Sequence, residues 1–198
     1  MFAKAPIPGR VKTRLAEELG AVGAAEVYRQ IGRQVVTRLS GGAYRMVIYF
    51  DPPGSEPEIE AWLGDLEHEH LQQPPGDLGS RLTQGFRWGF AEGRSVCVVG
   101  TDIPGLDRQP VEEAFATLSR PGGPDLVVGP ALDGGYYLLG LRRPAPELFR
   151  DIPWSTEGVL DATMAQARRL GLTVHSLSAL GDVDRREDLP KEFRSRLQ

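Results

Sequence analysis

The sequence has few of the residues that mark several protein classes. Cys97 is its one cysteine, so no internal disulfide can form, as is usual in a reducing cytoplasm. No apolar run approaches the roughly 20 residues that cross a bilayer. The opening residues are charged and lack the apolar core of a secretory signal. We therefore expect a cytoplasmic protein with no membrane partner.

After the opening segment, the 27 acidic side chains outnumber the basic ones. Residues 1–14 hold Lys4, Arg10, Lys12 and Arg14 and no acid, whereas the net charge of the whole chain is −4. The isoelectric point near 5.5 and the lack of a second basic stripe argue against a nucleic-acid partner. A small positive loop on an otherwise acidic body predicts a local anion site.

Strand-like and helix-like segments alternate along the 198 residues. "SVCVVG" is a continuous apolar run, which is typical of a strand buried on both faces of a parallel sheet. "KTRLAEELG" and "AAEVYRQIGRQVVTRLS" are predicted as two helices. The alternation predicts one domain, residues 1–198, with an α/β Rossmann-like three-layer sandwich and a mostly parallel central sheet.

The opening loop "PGRVKT" partly matches a phosphate-binding P-loop. That motif needs glycine directly before the Lys-Thr pair, where this chain has Val11. Gly9 would still let the backbone approach a ligand, and the following helix start with Lys12 and Arg14 would favour phosphate. The alternative is a basic turn in solvent.

Two acidic segments predict a metal site. Asp102 directly follows the strand "VCVVG", and ligands of open α/β sheets bind outside the carboxyl ends of strands. A carboxylate there suits a hard divalent cation, although Asp102 could also be a turn former. In "GDVDRRED", Asp182 and Asp184 would share one face of an extended segment and suit a second carboxylate ligand. They would equally suit a helix N-terminus.

Three further segments allow both functional and structural interpretations. Asp133-Gly134-Gly135 lies between two strand-like runs and by spacing alone favours a hairpin turn. "QPPGDLGSRL", with Gln73, either contacts a base or sugar or simply connects a strand to a helix. In "IPWST", Trp154 is predicted to pack in the core, with a helix N-cap at the next serine or threonine.

In combination and order these segments resemble one family. The segments are "FAKAPIPGRVKTRL", "GDLGSRL", "GTDIPGL", "GPALDGGYYLLGL", "PWSTEGVL" and "DVDRREDL". They resemble the bacterial glycosyltransferase-like proteins, also described as transferases associated with radical-SAM and selenium domains. That group belongs to the nucleotide-diphospho-sugar transferase (GT-A) superfamily, and the resemblance spans nearly the whole chain. It implies the nucleotide-diphospho-sugar transferase fold.

The resemblance also implies roles for individual residues. The loop that wraps the phosphates of a nucleotide would comprise Ala3, Lys4, Gly9, Arg10, Lys12 and Arg14. The loop near the base or ribose would comprise Gly76, Asp77 and Gly79, and the loop on the acceptor side Asp133, Gly134 and Gly135. Asp102 and Asp184 would bind Mg²⁺ or Mn²⁺, and the catalytic residues would be Lys12, Arg10 and Asp102.

The chain departs from the family pattern at three places. Ile103 stands where many members have cysteine, which we expect to be harmless. Arg185 replaces a usual threonine, which weakens the assignment of the late acidic turn. Family members carry several apolar residues ahead of "FAK", so we expect the first strand to be cut short here.

The residues and the resemblance together predict a metal-dependent transferase that uses a nucleotide or nucleotide-sugar and a small-molecule acceptor. The favoured reaction is nucleotidyl transfer from a nucleoside triphosphate to a phosphorylated metabolite, with catalysis by positioning and charge stabilisation. One alternative is glycosyl transfer from a nucleotide-sugar, with Asp133 as the base. A third is a nucleotide-binding protein without turnover. The sequence leaves the oligomeric state open, a homodimer being one option.

Overall fold

A computed structural model describes residues 1–66, 68–93 and 95–194 of the chain. Its strands are β1 (Phe2–Lys4), β2 (Val47–Asp51), β3 (Glu69–Gln72), β4 (Val96–Val99), β5 (Leu126–Pro130), β6 (Tyr136–Leu141) and β7 (Val174–Ser176). Its helices are α1 (Thr13–Leu39), α2 (Glu56–Leu63), α3 (Leu78–Glu92), α4 (Arg108–Ser119), α5 (Val159–Arg169) and α6 (Lys191–Arg194). Short 3₁₀ turns span Pro146–Phe149 and Arg186–Asp188.

The strands form two sets of hydrogen-bonded neighbours. In the order β1-β2-β3, every pair is parallel. In the order β4-β6-β5-β7, β5 and β7 are parallel, and β6 runs antiparallel to both β4 and β5. The predicted α/β class with a mostly parallel sheet is confirmed. Strand β6 is the antiparallel exception because a tight turn, rather than a crossover helix, connects it to β5.

Helix α1, of 27 residues, consists of two helical segments, as the sequence predicted. The two segments meet at a kink at Gly20, whose φ of 72° and ψ of 162° are non-helical. Beyond the kink, Val27, Ile31 and Val35 lie on one buried stripe, as the four-residue spacing predicted. That stripe packs in one cluster with residues of β4, β5, β6 and α4.

Helices cover both faces of the strands. Ile48 and Phe50 of β2 point into a cluster with α1 and α2 that contains Trp62. On the other face, Leu82 and Phe86 of α3 pack against β5 and β6 together with residues of α5. This arrangement gives the three predicted layers, with helices α1, α2 and α4 on one face and α3 and α5 on the other.

Helix α5 begins later than the sequence predicted. It starts at Val159 with Gly158 as its N-cap, so the predicted N-cap at Ser155 or Thr156 is wrong. Ser155 has a left-handed φ of 65°, and the hydroxyl of Thr156 donates a hydrogen bond to the carbonyl oxygen of Pro153 at 2.7 Å. Both residues therefore shape the preceding turn. In the described ranges, no helix is long and apolar enough to cross a membrane.

Candidate active site

The ends of β1 and β4 are connected through the hydroxyl of Tyr28. This hydroxyl accepts a hydrogen bond from the backbone N–H of Lys4 at 2.9 Å and lies 2.8 Å from Oγ1 of Thr101. Burial, and then the nearby charge of Asp102, raise the pKa of Tyr28, so the hydroxyl stays neutral. The loops that follow the two strands are thereby held beside each other at the carboxyl edge of the sheet.

Lys12 lies at the centre of the site. It is the N-cap of α1 and has a left-handed backbone, with φ of 47°. Its side chain is only 7% exposed, and Nζ lies 2.7 Å from Oδ2 of Asp102 and 3.6 Å from Oδ1 of Asp184. Burial alone would lower the pKa of Lys12, but the hydrogen bond and charge of Asp102 and the neighbouring carboxylates outweigh it and raise the pKa.

Asp184 brings the last acidic segment to the opening loop. Its Oδ2 accepts a hydrogen bond from Nη1 of Arg14 at 2.6 Å, and Oδ1 faces Lys12. The side chain of Arg14 is 65% exposed, so this pair is open to solvent on one side. The structure thus brings together four of the predicted residues, Lys12, Arg14, Asp102 and Asp184, from three separate segments.

Asp182 joins the same acidic cluster. Burial is the main cause that raises the pKa of Asp182 to about 6, and the charges of Asp133, Asp184 and Asp102 raise it further. The sequence pointed to Asp182 through its alternation with Asp184, but only Asp184 was assigned a role. The site therefore holds more carboxylates than Lys12 and Arg14 can neutralise, and it would accept a further cation.

The predicted acceptor loop is a tight turn between β5 and β6, so its hairpin interpretation is confirmed. Oδ1 of Asp133 accepts a hydrogen bond from the N–H of Gly135 at 2.8 Å. Gly134 has a φ of 88°, and a Cβ there would lie 2.1 Å from the carbonyl oxygen of Glu157. Only glycine allows this approach. The role of the turn toward an acceptor stays a prediction.

The predicted base loop precedes α3. Asp77 is the N-cap, with Oδ1 accepting a hydrogen bond from the N–H of Ser80 at 2.8 Å. Gly76 has a φ of 120°. A Cβ on Gly79 would lie 2.9 Å from both the carbonyl oxygen of Phe149 and Nε1 of Trp154. Trp154 therefore packs against this helix start, as its predicted core role requires.

The remaining residues of the predicted phosphate loop lie in β1 and in the turn that precedes α1. Ala3 is buried in β1 and Lys4 ends that strand with its side chain exposed. Gly9, with φ of 80°, lies in a turn closed by a hydrogen bond from the N–H of Arg10 to the carbonyl oxygen of Ile7. Arg10 is exposed on this turn. The nucleotide roles of these residues stay predictions.

The donor set of the cluster fits a divalent cation that is shared with phosphates. Within the described ranges, no three His, Cys, Asp or Glu side chains are arranged to hold a metal ion by themselves. Asp102 and Asp184, however, both direct a carboxylate oxygen at the one Lys12 ammonium. Mg²⁺ is commonly bound by one or two carboxylates, with substrate phosphates and water completing its shell.

Three solved structures share the fold. A protein of Desulfovibrio desulfuricans G20, provisionally assigned as a nucleotide-diphospho-sugar transferase, is 33% identical, with a TM-score of 0.86 over 98% of this chain and 88% of its own. CMP:2-keto-3-deoxy-manno-octonic acid synthetase, solved with CTP, is 12% identical, with a TM-score of 0.60 over 98% of this chain and 96% of its own.

The third is glucosyl-3-phosphoglycerate synthase of Mycobacterium tuberculosis, solved with Mn²⁺, UDP and glucosyl-3-phosphoglycerate. It is 16% identical, with a TM-score of 0.51 over 99% of this chain and 74% of its own. Below 25% identity, the second and third establish the fold alone.

The sequence has no significant match among curated proteins. One family model, described as "Uncharacterized protein conserved in bacteria (DUF2064)", matches residues 35–156, which is more than half of the chain. With this match and the 33% identity to the Desulfovibrio protein, the chain belongs to the DUF2064 family and has a nucleotide-diphospho-sugar transferase fold.

Proposed function

We propose that this protein is a divalent-metal-dependent transferase that moves a nucleotidyl group from a nucleoside triphosphate to a phosphorylated small metabolite. The observation that carries the proposal is the contact of one buried ammonium, on Lys12, with both Asp102 and Asp184. The contact lies outside the carboxyl ends of β1 and β4, where open α/β sheets bind ligands. The Lys12 ammonium could bind phosphate oxygens, and the excess carboxylates could bind a metal ion. Together they suit a polyphosphate that carries a metal ion.

Asp102 and Asp184 are the residues that would hold the metal, either Mg²⁺ or Mn²⁺. When bound, the metal would neutralise charge on the phosphates of the nucleotide. Asp182, which contributes charge to the same cluster, would become easier to ionise beside a divalent cation, because an opposite charge lowers the pKa of a carboxyl group.

The reaction needs positioning more than proton transfer. A phosphate oxygen of the acceptor attacks the α-phosphorus and forms the new P–O bond. The bond from the α-phosphorus to the oxygen of the β-phosphate breaks, and pyrophosphate leaves with the electron pair. The acceptor is already an anion, so no general base is required. The Lys12 ammonium, aided by Arg10 and Arg14, would stabilise the charge on the departing pyrophosphate.

The basic opening loop favours nucleotidyl over glycosyl transfer, because a triphosphate carries more charge than a nucleotide-sugar. Glycosyl transfer remains the second candidate. It would need a base for an acceptor hydroxyl, and Asp133, whose charge acts on Asp182, is the residue that supports it. The single domain over residues 1–198, the cytoplasmic location and the association with radical-SAM and selenium domains stay predictions.

The proposal is tested by thermal unfolding with a panel of nucleoside triphosphates and nucleotide-sugars, each with Mg²⁺, Mn²⁺ or a chelator. A ligand at about 100 times its Kd adds about 2.7 kcal/mol to the free energy of unfolding. We expect one triphosphate to stabilise the protein only with metal, and pyrophosphate to be released when phosphorylated metabolites are added.

Other outcomes separate the alternatives. Stronger stabilisation by one nucleotide-sugar, with no pyrophosphate release, would favour glycosyl transfer. No stabilisation by any nucleotide would contradict the proposed function. If Lys12→Ala abolished binding while Asp102→Ala left the biological output unchanged, the protein would be a nucleotide-binding protein without turnover.

A further inference from the structure

Arg81, in the first turn of α3, connects the end of β2 to the loop that follows β3, at the carboxyl edge of these strands. Its Nη1 lies 2.9 Å from Oδ1 of Asp51, at the end of β2, and 3.2 Å from Oε1 of Gln73, directly after β3. Its Nε donates a hydrogen bond to the carbonyl oxygen of Gly76 at 3.0 Å. The ion pair is partly buried, with side chains 24% and 21% exposed, so solvent screens it less than a surface pair.

The side-chain amide of Gln73 forms hydrogen bonds inside the protein. Its Nε2 donates a hydrogen bond to the carbonyl oxygen of Tyr49 at 2.7 Å, its Oε1 accepts from Arg81, and the residue is 5% exposed. It therefore supports the loop of residues 74–77 rather than contacting a base. Within that loop, two prolines and Gly76 carry no polar side-chain atom, and Asp77 caps α3. The polar groups that the loop offers a ligand are mainly those of its main chain.

A main-chain binding surface is selective only if its shape is fixed. Gly76 has a φ of 120°, a backbone conformation that residues other than glycine rarely adopt. Its carbonyl oxygen accepts the hydrogen bond from Arg81. The planar guanidinium reaches three acceptors at once, which the single ammonium of a lysine cannot do with the same geometry.

We propose that Arg81 is a positioning residue that fixes the loop of residues 74–77 for the nucleoside part of the substrate. The inference rests on the proposed function, since it requires that the protein bind nucleotides. The Lys12 cluster holds the phosphates, and the loop held by Arg81 provides the contacts to the base or ribose.

The test compares two kinds of probe that share a phosphate chain, one with a nucleoside and one without. ATP, GTP, CTP and UTP, and separately inorganic tripolyphosphate, are titrated with Mg²⁺ into the full chain and its Arg81→Met, Arg81→Lys and Arg143→Met variants. Arg143→Met is the matched control, because it removes an ion pair with Asp125. We expect Arg81→Met to raise the Kd of the tightest nucleotide about tenfold and leave that of tripolyphosphate within about twofold. Arg81→Lys should be intermediate, and the control unchanged.

Each outcome decides the inference. An unchanged nucleotide Kd in Arg81→Met, or equal weakening of nucleotide and tripolyphosphate, would overturn it, the latter because a general loss of structure affects both probes. Arg81→Lys provides the comparison if Arg81→Met does not fold. A wild-type protein that binds no nucleotide would contradict the proposed function itself, and this inference with it.

Discussion

Two charged clusters at the carboxyl edge of the strands differ in how well their charges are balanced. In the cluster around Lys12, the carboxylates outnumber the cations. Burial, and then the charges of the neighbouring carboxylates, raise the pKa of Asp182 to about 6. In the cluster around Arg81, the guanidinium has three acceptors and Gln73 has its amide engaged on both sides. We infer that the balanced cluster maintains structure and that the unbalanced cluster is completed by a ligand.

The two clusters also differ in their effect on the stability of the folded state. Carboxylates held close together without enough partners destabilise the folded state, because like charges in a partly buried site repel. A partly buried arginine with matched acceptors contributes to stability, and breaking it leaves those acceptors unpaired. Substitution of Arg81 should therefore lower the free energy of unfolding as well as nucleotide affinity, whereas substitution of Lys12 should mainly lower ligand affinity.

The largest effect is expected from Lys12→Met. It removes the buried ammonium that contacts both Asp102 and Asp184, so the affinity for a nucleoside triphosphate with Mg²⁺ should fall about 100-fold. Affinity for inorganic tripolyphosphate should fall to a similar extent. Isothermal titration calorimetry measures both, with the exposed Lys191→Met as control. Undiminished affinity for both probes in Lys12→Met would show that Lys12 does not bind the phosphates.

The second effect is on stability. Arg81→Met leaves the acceptors on Asp51, Gln73 and Gly76 without their donor, so the free energy of unfolding should fall by about 2 kcal/mol. Arg143→Met, at a side chain 64% exposed, should cost less than about 1 kcal/mol. Urea unfolding followed by circular dichroism gives both values. Equal costs would show that the Arg81 cluster is not the balanced, structural one.

The third effect concerns pH. The folded protein holds the pKa of Asp182 above its ordinary value of 3.8, at about 6, so the folded state binds this proton more tightly than the unfolded state. The associated stability is present below about pH 4 and is lost as the pH rises through 6. Asp182→Asn should therefore be about 1 kcal/mol more stable than wild type at pH 7, a value reduced for solvent screening.

This difference should shrink as the pH falls from 7 to 4. Urea unfolding at a series of pH values, with a chelator present, measures it. Asp161→Asn, on the first turn of α5, is a control with the same change of side chain. A difference between wild type and Asp182→Asn that is constant over this range would show that Asp182 ionises normally.

The smallest effect is expected from Arg14→Ala. Its contact with Asp184 is short, but the arginine side chain is 65% exposed. Affinity for a nucleoside triphosphate should fall only about threefold at low salt, and the loss should largely disappear at about 1 M salt because exposed charges are screened. Calorimetry at two salt concentrations tests this. A loss as large as that of Lys12→Met would place Arg14 at the centre of the site.

The sequence predicted much of the fold from local patterns. Alternating apolar strands and amphipathic helices suffice for the α/β class, and the rule for carboxyl ends of strands put Asp102 at the ligand edge. The meeting of Asp102 with Lys12 and Asp184 depended on the family resemblance, because these residues are far apart in the chain.

Other features required three-dimensional packing. Nothing local indicated that Thr156 would form a turn instead of a helix cap. Arg81 was part of the motif "GDLGSRL" without an assigned role, because its partner Asp51 lies at the end of β2, far away in the chain. Such side chains are recognised only once the strands are paired.

The central claim is that Asp102 and Asp184 bind a nucleotide together with a divalent cation. The direct test is calorimetric titration of the most stabilising triphosphate into wild type, Asp102→Asn and the control Asp107→Asn, each with Mg²⁺ and with chelator. Asp107→Asn makes the same charge change and keeps a side chain able to cap α4. The account predicts metal-dependent binding in wild type and the control, and its loss in Asp102→Asn. Equal affinity in all three proteins, with and without Mg²⁺, would contradict it.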